Sequence, residues 1–367
     1  MFGTKSCRTS IIADLDHGGT AVSGGVRGDL VSILPPGRYG KSRLGERRSG
    51  PNATRLPATG TAGVRVPERT VRIVQQRMAR WMATALLATA AGAGSGCAAT
   101  APGALARAQV RAEAADRLLP AAAEDSLLAA QQGLPTAERV GLWARRFLGA
   151  DGIRYVFGPN ADGYVAEREI VRDHSQDCIS LLYRCTELAR ARDHRDAIAV
   201  ALATRFAGAE PDSVVDASGR VDYDDPSHLD YSLDMIRSGH WGTDVTAQVG
   251  AAEPDTVGTS RYPARSFSFV PKAMLDPTAL REGDMCWFVL DPNVASARKL
   301  RDTYGLVIGH VGLVIVQDGR PWLVHAAVSG LSGWYEGGTV VKVPLVEYLG
   351  RVERFAGVKV TRFEGGG

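Results

Sequence analysis

Three side chains in this sequence could do covalent chemistry together. Cys178 lies in Ser175-Gln176-Asp177-Cys178-Ile179-Ser180-Leu181-Leu182, where a loop turns into a helix. His310 opens the apolar run His310-Val311-Gly312-Leu313-Val314-Ile315, and His325 ends the next one, Leu323-Val324-His325-Ala326. A thiol in a helix's first turn sits among unpaired backbone N–H groups at the positive end of the helix dipole. That setting lowers a thiol pKa and offers donors to an oxyanion. An imidazole beside it would generate the thiolate and carry protons. Taken singly the residues say little. Cysteine is a common small buried residue, which is the reading for Cys185 on the same helix face, and a histidine at the head of an apolar strand is commonly structural.

The elements that must hold these groups follow from periodicity. Val140, Trp143, Ala144, Phe147 and Leu148 make one helical stripe after Pro135, with Thr136 as its cap and Gly149 at its end. Cys178, Leu181, Leu182, Cys185, Leu188 and Ala189 make a second, capped by Ser175 or Asp177. Between them, Ile153 to Pro159 reads as a short extended piece closed by a turn. The C-terminal third reads as strands: Met285–Leu290, His310–Val316, Trp322–Ala326, Val340–Pro344 and Gly357–Val360, with Gln317-Asp318-Gly319-Arg320 as a hairpin turn. Asp284 belongs to the turn before the first of these. Helices first and an antiparallel curved sheet later predict an α+β domain.

Composition bounds the rest. An apolar content of 45% and a charged content of 23% fit an ordinary globular protein. The net charge of +3 is uneven: residues 1–77 hold thirteen Lys and Arg against five Asp and Glu, so the remainder is mildly acidic and nucleic acid is not an expected partner. Five scattered cysteines (Cys7, Cys97, Cys178, Cys185, Cys286), with no CxxC pair, argue against a disulfide framework or a structural zinc. Residues 1–77, rich in Gly, Arg, Pro and Ser, are expected to be disordered or to arise from a mis-assigned start. Residues 78–97 resemble an export signal. Arg77 and Arg80 precede an apolar stretch from Trp81 to Ala93, too short to span a bilayer, and Gly94-Ser95-Gly96 leads into Cys97. Lipidation at Cys97 is one expectation, although Gly94 replaces the usual Leu; cleavage after Ala104-Leu105-Ala106 is the other. The expected location is the periplasm, with membrane contact only through a lipid anchor at Cys97. Ala-rich residues 98–133 are expected to form a tether, and residues 134–367 the catalytic domain. Within it, residues 207–275 form a polar, irregular insertion, the kind of segment that serves as a lid or binding loop.

The motifs together resemble a known family. Asp177-Cys178, Gly283-Asp284, His310-Val311-Gly312 and His325-Ala326 are similar to the cysteine, turn and histidine motifs of NlpC-type papain-like peptidoglycan hydrolases. Tyr155 and Gly158 match the aromatic segment that precedes the cysteine there. His228 to Thr246 resembles the N-acetylmuramoyl-L-alanine amidase-like branch, and the likeness runs over roughly residues 136–362. It implies a papain-like fold with Cys178 as nucleophile, His310 as general base and His325 orienting it. It further implies Tyr155 near the scissile bond, and Asp177, His228 and Asp244 as substrate-contacting groups. No metal or organic cofactor is implied. The substrate would be peptidoglycan or a muropeptide. Ile179 stands where such endopeptidases usually carry a serine that helps hold a free peptide amine, which favours a blocked substrate such as the muramoyl–L-Ala amide. The alternatives are a γ-D-glutamyl–diamino acid endopeptidase, an acyltransferase using the same thiol, and a non-catalytic wall-binding lipoprotein of the same fold.

Overall fold

Alternation and burial in the C-terminal third build an antiparallel sheet with both faces covered. The computed structural model describes residues 102–229, 233–258 and 264–364. In chain order the elements are helices α1 (Ala104–Glu113), α2 (Ala121–Ala130) and α3 (Thr136–Leu148), strand β1 (Arg154–Tyr155), helix α4 (Tyr164–Glu167), strand β2 (Ser175–Gln176), and helices α5 (Cys178–Arg190), α6 (His194–Arg205), α7 (Pro211–Val214) and α8 (Leu233–Ser238). Then come β3 (Thr243–Asp244), β4 (Glu253–Val257), β5 (Arg265–Pro271), β6 (Met285–Leu290), α9 (Ala295–Tyr304), β7 (Ile308–Gln317), β8 (Arg320–Ala327), β9 (Thr339–Pro344), α10 (Leu345–Arg351) and β10 (Phe355–Arg362). The main sheet runs β4-β5-β10-β6-β7-β8-β9, with β3 also on β10. Every pairing in it is antiparallel. The α+β reading therefore holds as helices on an antiparallel sheet.

The strand that carries His310 is almost wholly apolar because neither of its faces meets water: eight consecutive residues of β7 are buried, as is all of β6. Asp318 and Gly319 both take positive φ (54° and 72°), the two-residue turn that matches strand twist, and this sets the β7–β8 register at Leu313 opposite Val324. Helix α5 packs against β7 and β8, and α3 packs against α5 and β7. Twelve of the thirteen residues of α5 are buried, so it is a central helix rather than a surface one with a single apolar stripe.

Two expectations are corrected. The 98–133 segment, expected to be a partly helical tether, forms α1 and α2 inside the folded unit over its described residues from 102 on. Ala104, Ala108, Ala112 and Leu128 are buried there, and Arg111 pairs with Glu169. A stripe of alanines carries little hydrophobic contrast in sequence, yet it lets a helix approach its neighbour closely. The 207–275 segment is not an irregular insertion throughout: β4 and β5 pair over Glu253–Val257 and Arg265–Phe269, and β5 joins β10 to extend the sheet. Residues 1–101, and with them the extension, the export signal and Cys97, lie outside the described residues.

Candidate active site

The first turn of α5 is organised by Asp177. Its Oδ1 accepts from the Ile179 and Ser180 N–H groups at 3.0 and 2.7 Å, while Ser180 Oγ accepts from the Asp177 N–H at 2.8 Å. This reciprocal capping box starts the helix at Cys178. Asp177 Oδ2 accepts from the Gly158 N–H at 2.9 Å, tying the segment that begins with Tyr155 to the helix start. Burial pushes the Asp177 carboxyl up, and these hydrogen bonds oppose that shift. The cap thus takes two of the N–H donors that the sequence reading left for an oxyanion. It also spends on the backbone the carboxylate expected to touch substrate. Cys178 itself is buried at the first helical position.

The two histidines are brought together. His310 Nε2 and His325 Nδ1 lie 2.8 Å apart, with the rings nearly perpendicular at 87°. Gly312 makes room for this contact. It sits two residues from His310 on β7, and a Cβ there would come within 3.1 Å of the His325 Cβ. Phe288 lies opposite His310 across the β6–β7 pair, and its ring is 5.7 Å from the imidazole. Phe355 stacks at 6.4 Å, with the Arg354 guanidinium 4.8 Å above that phenyl ring. Burial, with the Arg354 charge adding to it, pushes His310 down to about 3 from an ordinary 6.5. The His310 imidazole is therefore neutral at neutral pH.

The remaining candidates are placed as follows. Tyr155 on β1 lies opposite Gln176 of β2, two residues before the thiol, and its N–H donates to the Gly338 carbonyl at 2.6 Å. His228 is half-buried against the rings of Phe206 and Tyr223 at 5.3 and 5.1 Å, inside an aromatic cluster that includes Tyr164 and Tyr183. Asp244 accepts from the Thr246 N–H and hydroxyl and pairs with Lys359 Nζ at 2.8 Å, and these partners hold its carboxyl below the ordinary range despite partial burial. It also borders an open cleft of about 500 Å³ with Arg237 and Phe363. Asp284 is fully buried and paired with Arg362, a stronger structural role than a turn residue needs. Sequence reading missed Tyr335 and Tyr348, whose rings lie 5.7 and 5.0 Å from His325. Their only sequence signal is an aromatic residue following a predicted strand.

No family model and no curated protein matches this chain. Among solved structures, an N-acetylmuramoyl-L-alanine amidase from Bacteroides uniformis is 18% identical with a TM-score of 0.45, covering 63% of this chain and 99% of its own. A second structure of an amidase so named from that organism is 20% identical with the same TM-score and coverage. A protein from Legionella pneumophila is 14% identical with a TM-score of 0.48, over 65% of this chain and 93% of its own.

Proposed function

We propose that this chain is a cysteine-dependent hydrolase that cleaves an amide bond in peptidoglycan or its fragments, the N-acetylmuramoyl–L-alanine amide first among them. The observation that carries the reading is the 2.8 Å contact between His310 Nε2 and His325 Nδ1, on the two strands against which the Cys178 helix packs. In this reading the histidine pair is a base held by an orienting group, and the thiol at the helix start is a nucleophile at the positive end of a dipole.

The proton inventory follows from that contact. For His310 to act as a base through Nδ1, its proton must sit on Nε2 and be donated to His325 Nδ1. In the reading proposed here, Nδ1 takes the Cys178 proton as Sγ attacks the substrate carbonyl. The imidazolium then gives that proton to the departing amine, the C–N bond breaks and a thioester remains. His310 next removes a proton from water, which attacks the thioester and releases the acid and the thiol. The His310–His325 bond persists through every step, since Nε2 keeps its hydrogen.

The use of Asp177 supports an N-blocked substrate. Its two oxygens serve three backbone N–H groups, and Ser180 Oγ serves Asp177 N–H and Gln176 Oε1. Acceptors so engaged are poorly suited to receive a free ammonium group from a peptide. In the same reading the enzyme acts in the periplasm, exported by the segment before residue 98 and held to the membrane through Cys97. Tyr155, His228 and Asp244 remain proposed substrate contacts.

The test is a digest of defined muropeptides by wild type and Cys178→Ala, with products read by mass spectrometry. Release of intact stem peptide with a free L-Ala amine, lost in the variant, is the expected result. Cleavage between D-Glu and the diamino acid would replace the amidase with the endopeptidase. Products that persist in Cys178→Ala, or none from either protein, would end the cysteine-hydrolase reading.

A further inference from the structure

A histidine that orients a catalytic base must be held in its plane as well as at its hydrogen bond. Rotation about the imidazole's χ2 is a broad torsion with no sharp intrinsic minima. The 2.8 Å bond to His310 fixes one point on the His325 ring, and ring packing bears on its plane. Two rings from separate elements supply that packing. Tyr348, buried on α10, lies 5.0 Å from His325 at 54°, and also 6.3 Å from His310 at 42°. Tyr335, half-buried on the loop between β8 and β9, meets the same imidazole edge-on at 5.7 Å and 81°.

Each tyrosine is backed independently. Tyr348 rests on Phe288 at 5.4 Å and Phe355 at 6.3 Å, the rings that line His310. Tyr335 is held by a two-way backbone pairing with Leu331 (2.9 and 3.2 Å). The neighbouring Trp334 lies under the Arg351 guanidinium at 4.4 Å, and Arg351 ends the helix that carries Tyr348. The loop returns to β9 through Gly337 and Gly338, both at positive φ (84° and 76°), a path open mainly to glycine. The loop and the helix are thereby tied to each other around one imidazole.

We propose that Tyr348 and Tyr335 are positioning residues that clamp His325, so that its Nδ1 stays on His310 Nε2 while His310 exchanges protons; the proposal rests on the cysteine-hydrolase reading above. In that reading, loss of the clamp loosens the His325 plane and with it the orientation of His310. A misplacement of about 1 Å in such a group costs on the order of a hundredfold in rate.

The test reads the thiol directly and needs no choice of substrate. The rate of Cys178 alkylation by iodoacetamide is measured against pH by peptide mass spectrometry, with thermal melts confirming the fold. Wild type is compared with Tyr348→Leu, Tyr348→Phe, Tyr335→Leu and His310→Ala. The expectation is that both leucine variants lower the rate at neutral pH by about tenfold or more, toward the profile of His310→Ala, and that Tyr348→Phe restores it. If Tyr348→Leu fails to fold, Tyr335→Leu carries the same question from the more exposed side. Wild-type profiles in the leucine variants, with His310→Ala impaired, would overturn the clamp alone. Equal impairment of Tyr348→Phe and Tyr348→Leu would also overturn it, by assigning the effect to the hydroxyl. A wild-type profile in His310→Ala would remove the hydrolase reading and the clamp with it.

Discussion

Acid should weaken this protein through His310 in a way that a single substitution removes. The imidazole is buried beneath Phe288, Tyr348 and Phe355, near the Arg354 charge, and its pKa falls from 6.5 to about 3. In the unfolded chain the ring takes a proton as pH drops below 6.5, while in the folded protein it does not until about 3. A depressed value therefore stabilises the fold above 6.5, and that contribution is lost progressively as pH falls from there toward 3. At about 1.4 kcal/mol per pH unit, the loss between neutral pH and about pH 4.5 is about 2.5 kcal/mol. Other groups move too. Glu124 and Asp177, both raised by burial, act with the opposite sign, gaining stability as pH falls. The comparison is therefore a difference: urea unfolding of wild type and His310→Gln at several pH values, with the two free energies subtracted at each. The wild-type advantage should shrink by about 2.5 kcal/mol over that interval. A difference that stays flat with pH would refute the argument, because it would mean that the ring titrates alike in both states.

Three further outcomes follow from the geometry around the site. Gly312→Ala would place a Cβ 2.6 Å from Leu323 Cδ1 and 3.0 Å from the Val324 carbonyl oxygen, so it should cost about 1–3 kcal/mol in urea unfolding and lower hydrolysis by displacing His325. Asp177→Ala removes a helix cap and leaves the Gly158 N–H without its acceptor; a loss of about 2–4 kcal/mol is expected, and a thermal shift near zero would contradict it. Arg205→Met removes the closest partner of the buried Glu187 carboxylate, bound at 2.7 and 2.8 Å, and leaves it Arg184 at 3.6 Å; a cost of about 3 kcal/mol is expected, of which the double variant with Glu187→Leu should recover part.

What could be read from the sequence was whatever depends on local periodicity. The stripe from Val140 to Leu148 and the stripe starting at Cys178 both became helices, and the Asp318-Gly319 turn set the hairpin that carries both histidines. Asp177 was recognisable as a cap, but its bond to Gly158 joins residues nineteen apart through a turn that periodicity does not encode. The buried charges were harder. Arg184 and Glu187 lie off the apolar stripe of α5, where a charge on a helix ordinarily marks solvent. They are inside because their partners Asp173, Glu124 and Arg205 come from other parts of the chain. The Ala-rich segment failed for the reverse reason: its buried face is made of residues too small to show in a hydropathy pattern. Tyr348 escaped notice because α10, at seven residues, offers barely two turns of periodicity.

These unpredicted charges bear on the chemistry, because they determine where the thiol stands. The chain leading to Cys178 is pinned to its own helix at two points. Asp173 bonds Arg184 Nε at 2.7 Å, and Asp177 closes the capping box with Ser180. Between those points lie His174 and β2, which is paired with β1. The same Asp173 receives the Leu118 N–H at 3.0 Å, and Arg184 also faces Glu124, so the N-terminal helices contribute to the arrangement from behind. Buried ion pairs add little net stability compared with apolar packing, since desolvation offsets most of their attraction. Their advantage is directional: an Arg–carboxylate contact has a preferred geometry that a leucine contact lacks. In the proposed hydrolase the nucleophile needs its position defined more than it needs added stability. A helix that is apolar where it meets the sheet and ionic where it meets the preceding loop satisfies both requirements: the sheet contact sets its depth, and the charge contacts set its rotation and register.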